Sequence, residues 1–359
     1  MDWTALAIDL ALTLIVFLGV MNTVPVLVWA ERRGSAFIQN RLGPNRVNIK
    51  GITLLGLVQP LADVVKFLWK EDYTPTYAHR AFYLLAPVIL MIPASMTFAV
   101  IPFGDVLVVA GRTIQLQVAD LNVGILYVFA ITSLSVYGIV LAGWASNNKW
   151  SLLGGVRSTA QMISYELTLG LSVVGILMIY GAIQLDEIVR GQGELLWGWL
   201  PKWGIVTQPL AFFLFLTAIF AESNRLPFDL PEAESELVVG YHTEYSAMRF
   251  ALFFMAEYMA MVSGSMLIVT LFFGGWQIPW VSSEGLREAV GPIPAALLQV
   301  GSFSAKLLFF LWLFIWVRWT LPRFRYDQLM RIGWKVILPL ALVNLFVTGA
   351  VLYALATAR

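Results

Sequence analysis

The chain has 359 residues, of which 59% are hydrophobic and 13% are charged, and its formal net charge is +1. Soluble domains carry about 25% charged residues, so this composition excludes an ordinary soluble domain and predicts a polytopic membrane protein. The absence of cysteine excludes disulfides, thiolate catalysis and cysteine-ligated clusters. His79 and His242 form no recognisable metal motif. With no phosphate-binding motif either, we expect no metal, nucleotide, flavin or iron–sulfur site and no nucleic-acid partner.

Eight stretches approach the roughly 20 apolar residues that a membrane-spanning helix needs. They lie at 6–29, 81–103, 122–145, 159–182, 204–222, 249–274, 300–320 and 335–356. The fifth is the shortest. We therefore predict an all-α fold with eight transmembrane helices, forming one integral membrane domain over residues 1–359.

Lysine and arginine are concentrated in the loops on one side of these spans, which include Arg46, Lys149 and Arg325. The opposite side receives few basic residues, among them Arg112 and Lys202. Because cytoplasmic loops carry the excess of basic residues, the first side is predicted to be cytoplasmic. With eight spans, both termini then lie on the periplasmic side.

The first cytoplasmic loop, 31–80, is predicted to begin as irregular chain and to contain an amphipathic helix. Apolar residues recur at helical spacing from Leu54 to Trp69, but this stretch is too short and too charged to span a membrane. It is typical of a helix in the interface plane, which Pro60 either kinks or restarts. The basic residues of the loop are expected to contact lipid phosphates, which is their commoner use, or a lipid-soluble ligand. Arg41 lies in a QNRLGPNR turn beside the amphipathic helix, and this position favours contact with a ligand over contact with lipid phosphates.

A second cytoplasmic loop, 222–248, concentrates negative charge. It carries six acids against one base, Arg225, and Pro227 and Pro231 prevent one continuous helix. The apolar side chains of Phe228 and Leu230 are not needed in a solvated loop, so a docking surface or a polar cavity wall is favoured. The acids are Glu222, Asp229, Glu232, Glu234, Glu236 and Glu244.

Ionisable residues also occur within the predicted spans. Glu166 and Glu257 lie inside the fourth and sixth spans, and Glu222 closes the fifth. A charge in the bilayer costs about 2.5–3.5 kcal/mol on insertion scales, so such residues usually face a protein interior or water. The three carboxylates are predicted to form a hydrated proton path. For Lys306, a structural ion pair with a carboxylate and a functional role stay equally open.

Methionines near these spans have two possible uses. Met21, Met255, Met259 and Met261 would suit the wall of an apolar tunnel, but such residues more often belong to ordinary core packing.

Five long motifs identify the chain as similar to a known family. They are ERRGSAFIQNRLGPNRV, VQPLAD, WASNNKWSLLGGVRSTAQMISYE, AESNRLPFDLPEAESELVVGYHTEYS and WVRWTLPRFRYDQLM. Together they resemble the NuoH family of membrane subunits of respiratory complex I, the proton-pumping NADH:quinone oxidoreductase, over nearly the whole chain.

The resemblance implies a bacterial inner-membrane subunit that forms much of the quinone chamber with two hydrophilic subunits. It also implies a polar channel toward the antiporter-like subunits, contacts with small membrane subunits and lipids, and quinone as substrate. NADH, FMN and iron–sulfur clusters would bind to other subunits. The residues implied at the quinone site are Glu31, Arg32, Arg41, Asp63 and Arg318. Those implied on the proton path are Glu166, Glu222, Asp229, Glu232, Glu234, Glu236, Glu244 and Glu257, with Arg225 and Lys306 in support.

Three alternatives compete with this function. The related subunit of a membrane-bound hydrogenase, or of a ferredoxin- or deazaflavin-linked complex, is disfavoured by the long PFDLPEAESELVVGYHTEYS match. A stand-alone secondary transporter would be expected to show broken helices in inverted repeats, and none is evident. A purely structural anchor does not explain the intramembrane acids.

Overall fold

A computed structural model describes residues 3–109, 111–230 and 237–358, and it is almost entirely helical. In chain order, the α-helices are α1 (Trp3–Ile38), α2 (Gln59–Trp69), α3 (Arg80–Met96), α4 (Gly124–Ala145), α5 (Lys149–Tyr180), α6 (Leu185–Gly191), α7 (Gly204–Thr207), α8 (Pro209–Glu222), α9 (Ala247–Phe272), α10 (Ser283–Val290), α11 (Pro292–Thr320), α12 (Tyr326–Ile332) and α13 (Leu338–Thr357). A π-helical turn, Gly333–Ile337, joins the last two. The all-α prediction is confirmed.

Two short antiparallel hairpins complete the structure. Strand β1 (Val106–Val109) pairs with β2 (Arg112–Gln115), and β3 (Leu195–Leu196) pairs with β4 (Leu200–Pro201). The first hairpin lies between the long helices α3 and α4, and the second lies between the short helices α6 and α7.

Within the described residues, seven helices are long and apolar enough to cross a membrane. The predicted fifth span differs, because it is divided into α7 and the 14-residue α8. Pro209 has no amide hydrogen and disfavours a helical conformation at Gln208, whose φ and ψ are −140° and 61°. At 1.5 Å per residue α8 is only about 21 Å long. The eight-helix count is therefore not confirmed by helix length.

Two helices begin or end differently from prediction. Helix α1 continues to Ile38, so the expectation that the loop begins at Glu31 is wrong. No proline interrupts this stretch, and its polar residues are compatible with a helix. Helix α5 begins at Lys149 rather than at 159, because the Asn148 side chain accepts a hydrogen bond from the Trp150 amide and caps it. Glu166 therefore lies roughly 26 Å along the helix.

The amphipathic helix of the first loop is confirmed as α2. Pro60 stands in its first turn, where the missing amide hydrogen costs nothing, so it begins the helix and does not kink it. Leu61, Leu68 and Trp69 are exposed on α2, with Trp69 87% exposed. The placement of this apolar surface in the membrane interface stays a prediction.

The segment after α8 folds back into the protein core. Arg225, Phe228, Asp229 and Leu230 are all buried, so a solvated loop is excluded for this part of the acidic segment. Apolar contacts hold the segment there, because Phe228 packs against Tyr165 and stacks on Phe324. The predictions for Glu232, Glu234 and Glu236 concern residues outside the described ranges.

Candidate functional site

A buried carboxylate, Glu31, lies at the centre of an ion-pair cluster. Its Oε1 is 2.6 Å from Arg318 Nη1, and its Oε2 is 3.3 Å from Arg225 Nη1. The Tyr258 hydroxyl donates a hydrogen bond to the same Oε2 at 2.8 Å. Glu31 on α1 therefore fastens the loop after α8 to α9 and α11.

Arg225 is charged in this environment despite complete burial. Burial by itself would lower the pKa of its guanidinium, but Tyr258, Glu31 and Glu257 hold that pKa above its ordinary value. The guanidinium also lies 4.0 Å from the centroid of the Tyr258 ring, a cation–π contact. Its Nε and Nη2 atoms are buried without a hydrogen-bond partner in the described structure. Arg225 also lines a small neighbouring space.

That space is the arginine cavity, a pocket of about 10 Å³ lined by Arg225, Arg318, Asp229, Asn224 and Glu257. Its volume is about that of the smallest site able to hold one water molecule, and its lining supplies the polar partners that a water needs.

A larger space, the carboxylate cavity, adjoins it. This cavity has a volume of about 60 Å³ and is lined by Glu222, Glu257, Asn224, several hydroxyl side chains and apolar side chains. By the same measure it has room for several waters. Glu257 and Asn224 line both cavities, so they form the wall between them.

Two of the three predicted intramembrane acids, Glu222 and Glu257, line the carboxylate cavity, and Glu166 does not. Tyr241 donates a hydrogen bond from its hydroxyl to Glu257 Oε1 at 3.0 Å. Glu166 contacts the Ser133 hydroxyl of α4, and it lies within electrostatic range of Glu222. Glu222 and Glu257 thus share one cavity, with Glu166 nearby, and their use as a proton path stays a prediction.

The predicted quinone-site residues fall into three separate places. Arg32 pairs with Asp63 at 2.6 Å, and Gln59 also donates to that carboxylate, at 3.1 Å. This pair ties α1 to α2 at the surface, whereas Glu31 and Arg318 belong to the buried cluster. Arg41 is exposed and donates to Gln39 Oε1 at 2.7 Å.

Two further acids in the described part of the loop, Asp229 and Glu244, have partners of their own. Asp229 pairs with Arg323 at 3.1 Å. Glu244 lies apart and accepts hydrogen bonds from Tyr77 at 3.0 Å and Asn148 at 2.6 Å. The hydrogen bond to Glu244 raises the pKa of the Tyr77 phenol.

Among the residues that the structure describes, Lys306 has no carboxylate partner of the kind that one hypothesis required. Its ammonium donates to the backbone carbonyls of Phe273, Gly275 and Gln277 at 2.8, 2.9 and 2.6 Å. It also lies 4.6 Å from the Trp203 ring. The lysine neutralises the carbonyl dipoles at the end of α9, which is a favourable position for a cation.

The methionines belong to the protein core in this structure. Met259 and Met261 are buried in the main hydrophobic cluster, and Met21 and Met255 pack against it. Core packing is therefore the use that the contacts support.

Three hydrogen-bond partners of the acids were missed by sequence reasoning: Tyr258, Tyr241 and Ser133. Tyr258 directly follows Glu257, and a hydroxyl beside an intramembrane acid is a signal that could have identified it. The other two come from other segments of the chain, and no local pattern relates them to the acids. Among the described residues, no group of three His, Asp or Glu side chains could hold a metal ion.

This fold and site define a polytopic membrane protein in which a buried ion-pair cluster adjoins a carboxylate-lined cavity. The family model described as NADH dehydrogenase matches residues 10–349. The chain belongs to this family, as a NuoH-type membrane component of NADH:quinone oxidoreductase.

Curated relatives agree over nearly the whole chain. A NuoH protein of the NADH-quinone oxidoreductase of Geobacter metallireducens is 51% identical over 347 residues, 97% of each chain. The NuoH protein of Salinibacter ruber is 49% identical over 357 residues, 98% of this chain and 97% of the relative. The NuoH protein of Bdellovibrio bacteriovorus is 48% identical over 368 residues, 94% of each chain. The resemblance inferred from the motifs is confirmed, and the chain is a membrane subunit of this enzyme.

Proposed function

We propose that this subunit forms much of a quinone chamber with hydrophilic partner subunits and couples quinone reduction to proton translocation. The observation that carries the proposal is the position of Glu257, which lines both the arginine cavity and the carboxylate cavity. A change of charge near Glu31 and Arg225 would alter the electrostatic potential at Glu257. Glu257 also lines the cavity that contains Glu222. Quinone is the substrate, while NADH, FMN and iron–sulfur clusters belong to other subunits.

The proton path starts at Glu257 and continues through Glu222 to Glu166. Carboxylates exchange protons with waters in hydrogen-bond contact, and the larger cavity has space for such waters. Glu31 has a different role, because its charge balances Arg225 and Arg318. Asp229 balances Arg323 in the same way.

Quinone enters near α2 in this proposal. The exposed apolar side chains of α2 can contact lipid, and Trp29 of α1 donates to the backbone carbonyl of Leu55 just before α2 at 3.0 Å. Arg41 lies beyond the end of α1 with an exposed guanidinium. It can therefore reach a carbonyl oxygen of an entering quinone.

Arg41→Met tests this entrance. We expect a raised apparent KM for a short-chain quinone or an altered sensitivity to quinone-site inhibitors, because a hydrogen-bond donor to the ligand is removed. NADH oxidation by a hydrophilic acceptor that bypasses quinone should persist. Arg46→Met, at another exposed position of the same loop, is the matched control. Unchanged quinone kinetics and inhibitor response would assign Arg41 to lipid contact.

The α7–α8 segment completes an eight-span topology in this proposal. Together, 204–222 extends about 28 Å at helical rise, close to the roughly 30 Å hydrocarbon thickness. The break at Gln208 is tolerated because the segment is covered by protein: Ala211, Phe215 and Ala218 are fully buried. Gln208 is itself satisfied by Asn344 and Thr348 of α13.

Single cysteines in this cysteine-free chain test the orientation. With the basic side cytoplasmic, we expect cysteines at Arg46 and Lys149 to be shielded from an impermeant thiol reagent added outside. Cysteines at Arg112 and Glu194 should react, because both positions are exposed and lie on the other side. Labelling at Lys149 from the outside would contradict the orientation, and permeabilised membranes provide the control for reactivity.

A further inference from the structure

Three consecutive residues of α5 face three different neighbours. Glu166 contacts Ser133 of α4. Tyr165, which is fully buried, donates its hydroxyl hydrogen to the Leu329 carbonyl of α12 at 2.9 Å. Ser164 accepts a hydrogen bond from Trp334 Nε1 at 3.1 Å. Successive side chains on a helix point about 100° apart. The contacts of Ser164 and Tyr165 with the C-terminal part of the chain therefore fix the direction in which Glu166 points.

Trp334 reaches Ser164 from the π-helical turn Gly333–Ile337. Such turns in α-helices have identifiable causes, and here Pro339 supplies one. In a regular helix its ring would clash with the Lys335 carbonyl, and it has no amide hydrogen to offer. The helix widens at this point instead. The Leu338 amide donates to the carbonyl of Gly333, which lies five residues earlier and not four as in an α-helix. Trp334 is therefore presented on a local deformation that the sequence itself causes.

Gly333 allows the same turn to approach α5 closely. A Cβ at this position would lie 3.2 Å from Tyr165 Cε2 and 3.3 Å from its Cζ. That separation is tighter than ordinary van der Waals contact, so a side chain here would displace the tyrosine ring or the turn. The ring has little room to move, because Phe228 packs against it with ring centroids 5.7 Å apart.

We infer that Trp334 is a positioning residue for Glu166: with Gly333 it fixes the rotation of α5 that directs this carboxylate toward α4. The inference rests on the proposed function, in which Glu166 carries protons. Trp334 touches neither Glu166 nor the carboxylate cavity, so its effect passes through Ser164 and the helix.

The mildest test removes one donor and keeps the aromatic ring. Ser164 already donates to the Ala160 carbonyl at 2.6 Å, so Trp334→Phe leaves only an unfilled acceptor on the Ser164 oxygen. The complex should assemble normally. Proton pumping and quinone reduction should fall by about threefold to tenfold, the range given by loss of one neutral hydrogen bond. Trp316→Phe is the matched control, because both tryptophans are 48% exposed.

A double-mutant cycle separates positioning from a general structural role. Ser164→Ala should have the effect of Trp334→Phe, and the double variant should be no worse than either one. In a Glu166→Asp background, which retains a titratable group at shorter reach, Trp334→Phe should cost less than in the parent. Full additivity in both cycles, an equal loss in Trp316→Phe, or reduced complex content would overturn the inference.

Glu166→Gln distinguishes this inference from the function on which it rests. Normal pumping and quinone reduction in Glu166→Gln would contradict the proton-carrying role of Glu166. An inactive Glu166→Gln beside a fully active Trp334→Phe would instead overturn the positioning role alone.

Discussion

Glu257→Gln is expected to abolish proton pumping and the quinone reduction coupled to it while the complex still assembles. Glutamine keeps the size of the side chain, and its amide oxygen can accept the Tyr241 hydrogen bond that now reaches Glu257 Oε1. The substitution removes the exchangeable proton and the negative charge that Glu257 places near Arg225. Because Glu257 lies in the wall between the two cavities, no described carboxylate at that wall can replace it.

The measurement compares membranes carrying the variant with the parent. Complex content, NADH oxidation with a hydrophilic acceptor, quinone reduction and proton-gradient formation are recorded together. Glu288→Gln, at an exposed position of α10, makes the same chemical change outside the site and should behave as the parent. Glu257→Asp should recover part of the activity, since it titrates but reaches less far.

Two outcomes would contradict a relay at this position. Normal pumping in Glu257→Gln would exclude Glu257 as an obligatory proton carrier. Loss of the assembled complex would assign it the structural role of a buried counter-charge, because removing one member of such a pair costs about 3–5 kcal/mol.

The second large effect is expected at Glu31, where a substitution should reduce the assembly and stability of the complex. Glu31→Gln leaves Arg225 buried and without its balancing carboxylate, so stability should fall by about 3–5 kcal/mol. The variant should therefore lower the amount of assembled complex and the temperature at which it dissociates. Hydrophilic-acceptor activity per membrane should fall in proportion.

Asp63→Asn supplies the matched control. Its partner Arg32 is 47% exposed, and an exposed ion pair contributes about 0–1 kcal/mol. Complex content should hardly change. Combining Glu31→Gln with Arg225→Gln should recover part of the lost stability, because the buried uncompensated charge is then removed. A normally stable Glu31→Gln complex would show that Arg225 has another source of compensation.

The sequence alone determined the class of this protein, its helical fold and the identity of most acids at the site. Long apolar stretches must form helices in lipid, where backbone groups cannot bond to water. An acid such as Glu257 within an apolar stretch is costly, so its presence indicates a polar interior. The motif around Phe220–Tyr245 indicates the family without reference to any contact in the fold.

Only the tertiary structure decided which charges meet. Glu31 and Arg32 are adjacent in sequence, yet helical geometry sends Glu31 to buried Arg225 and Arg32 to the surface at Asp63. The ligands of Lys306 are backbone carbonyls, which every residue has, so no sequence pattern could identify them. The broken α7–α8 segment is likewise tolerated because other helices cover it. Burial and pairing depend on distant segments, and these come together only in the folded chain.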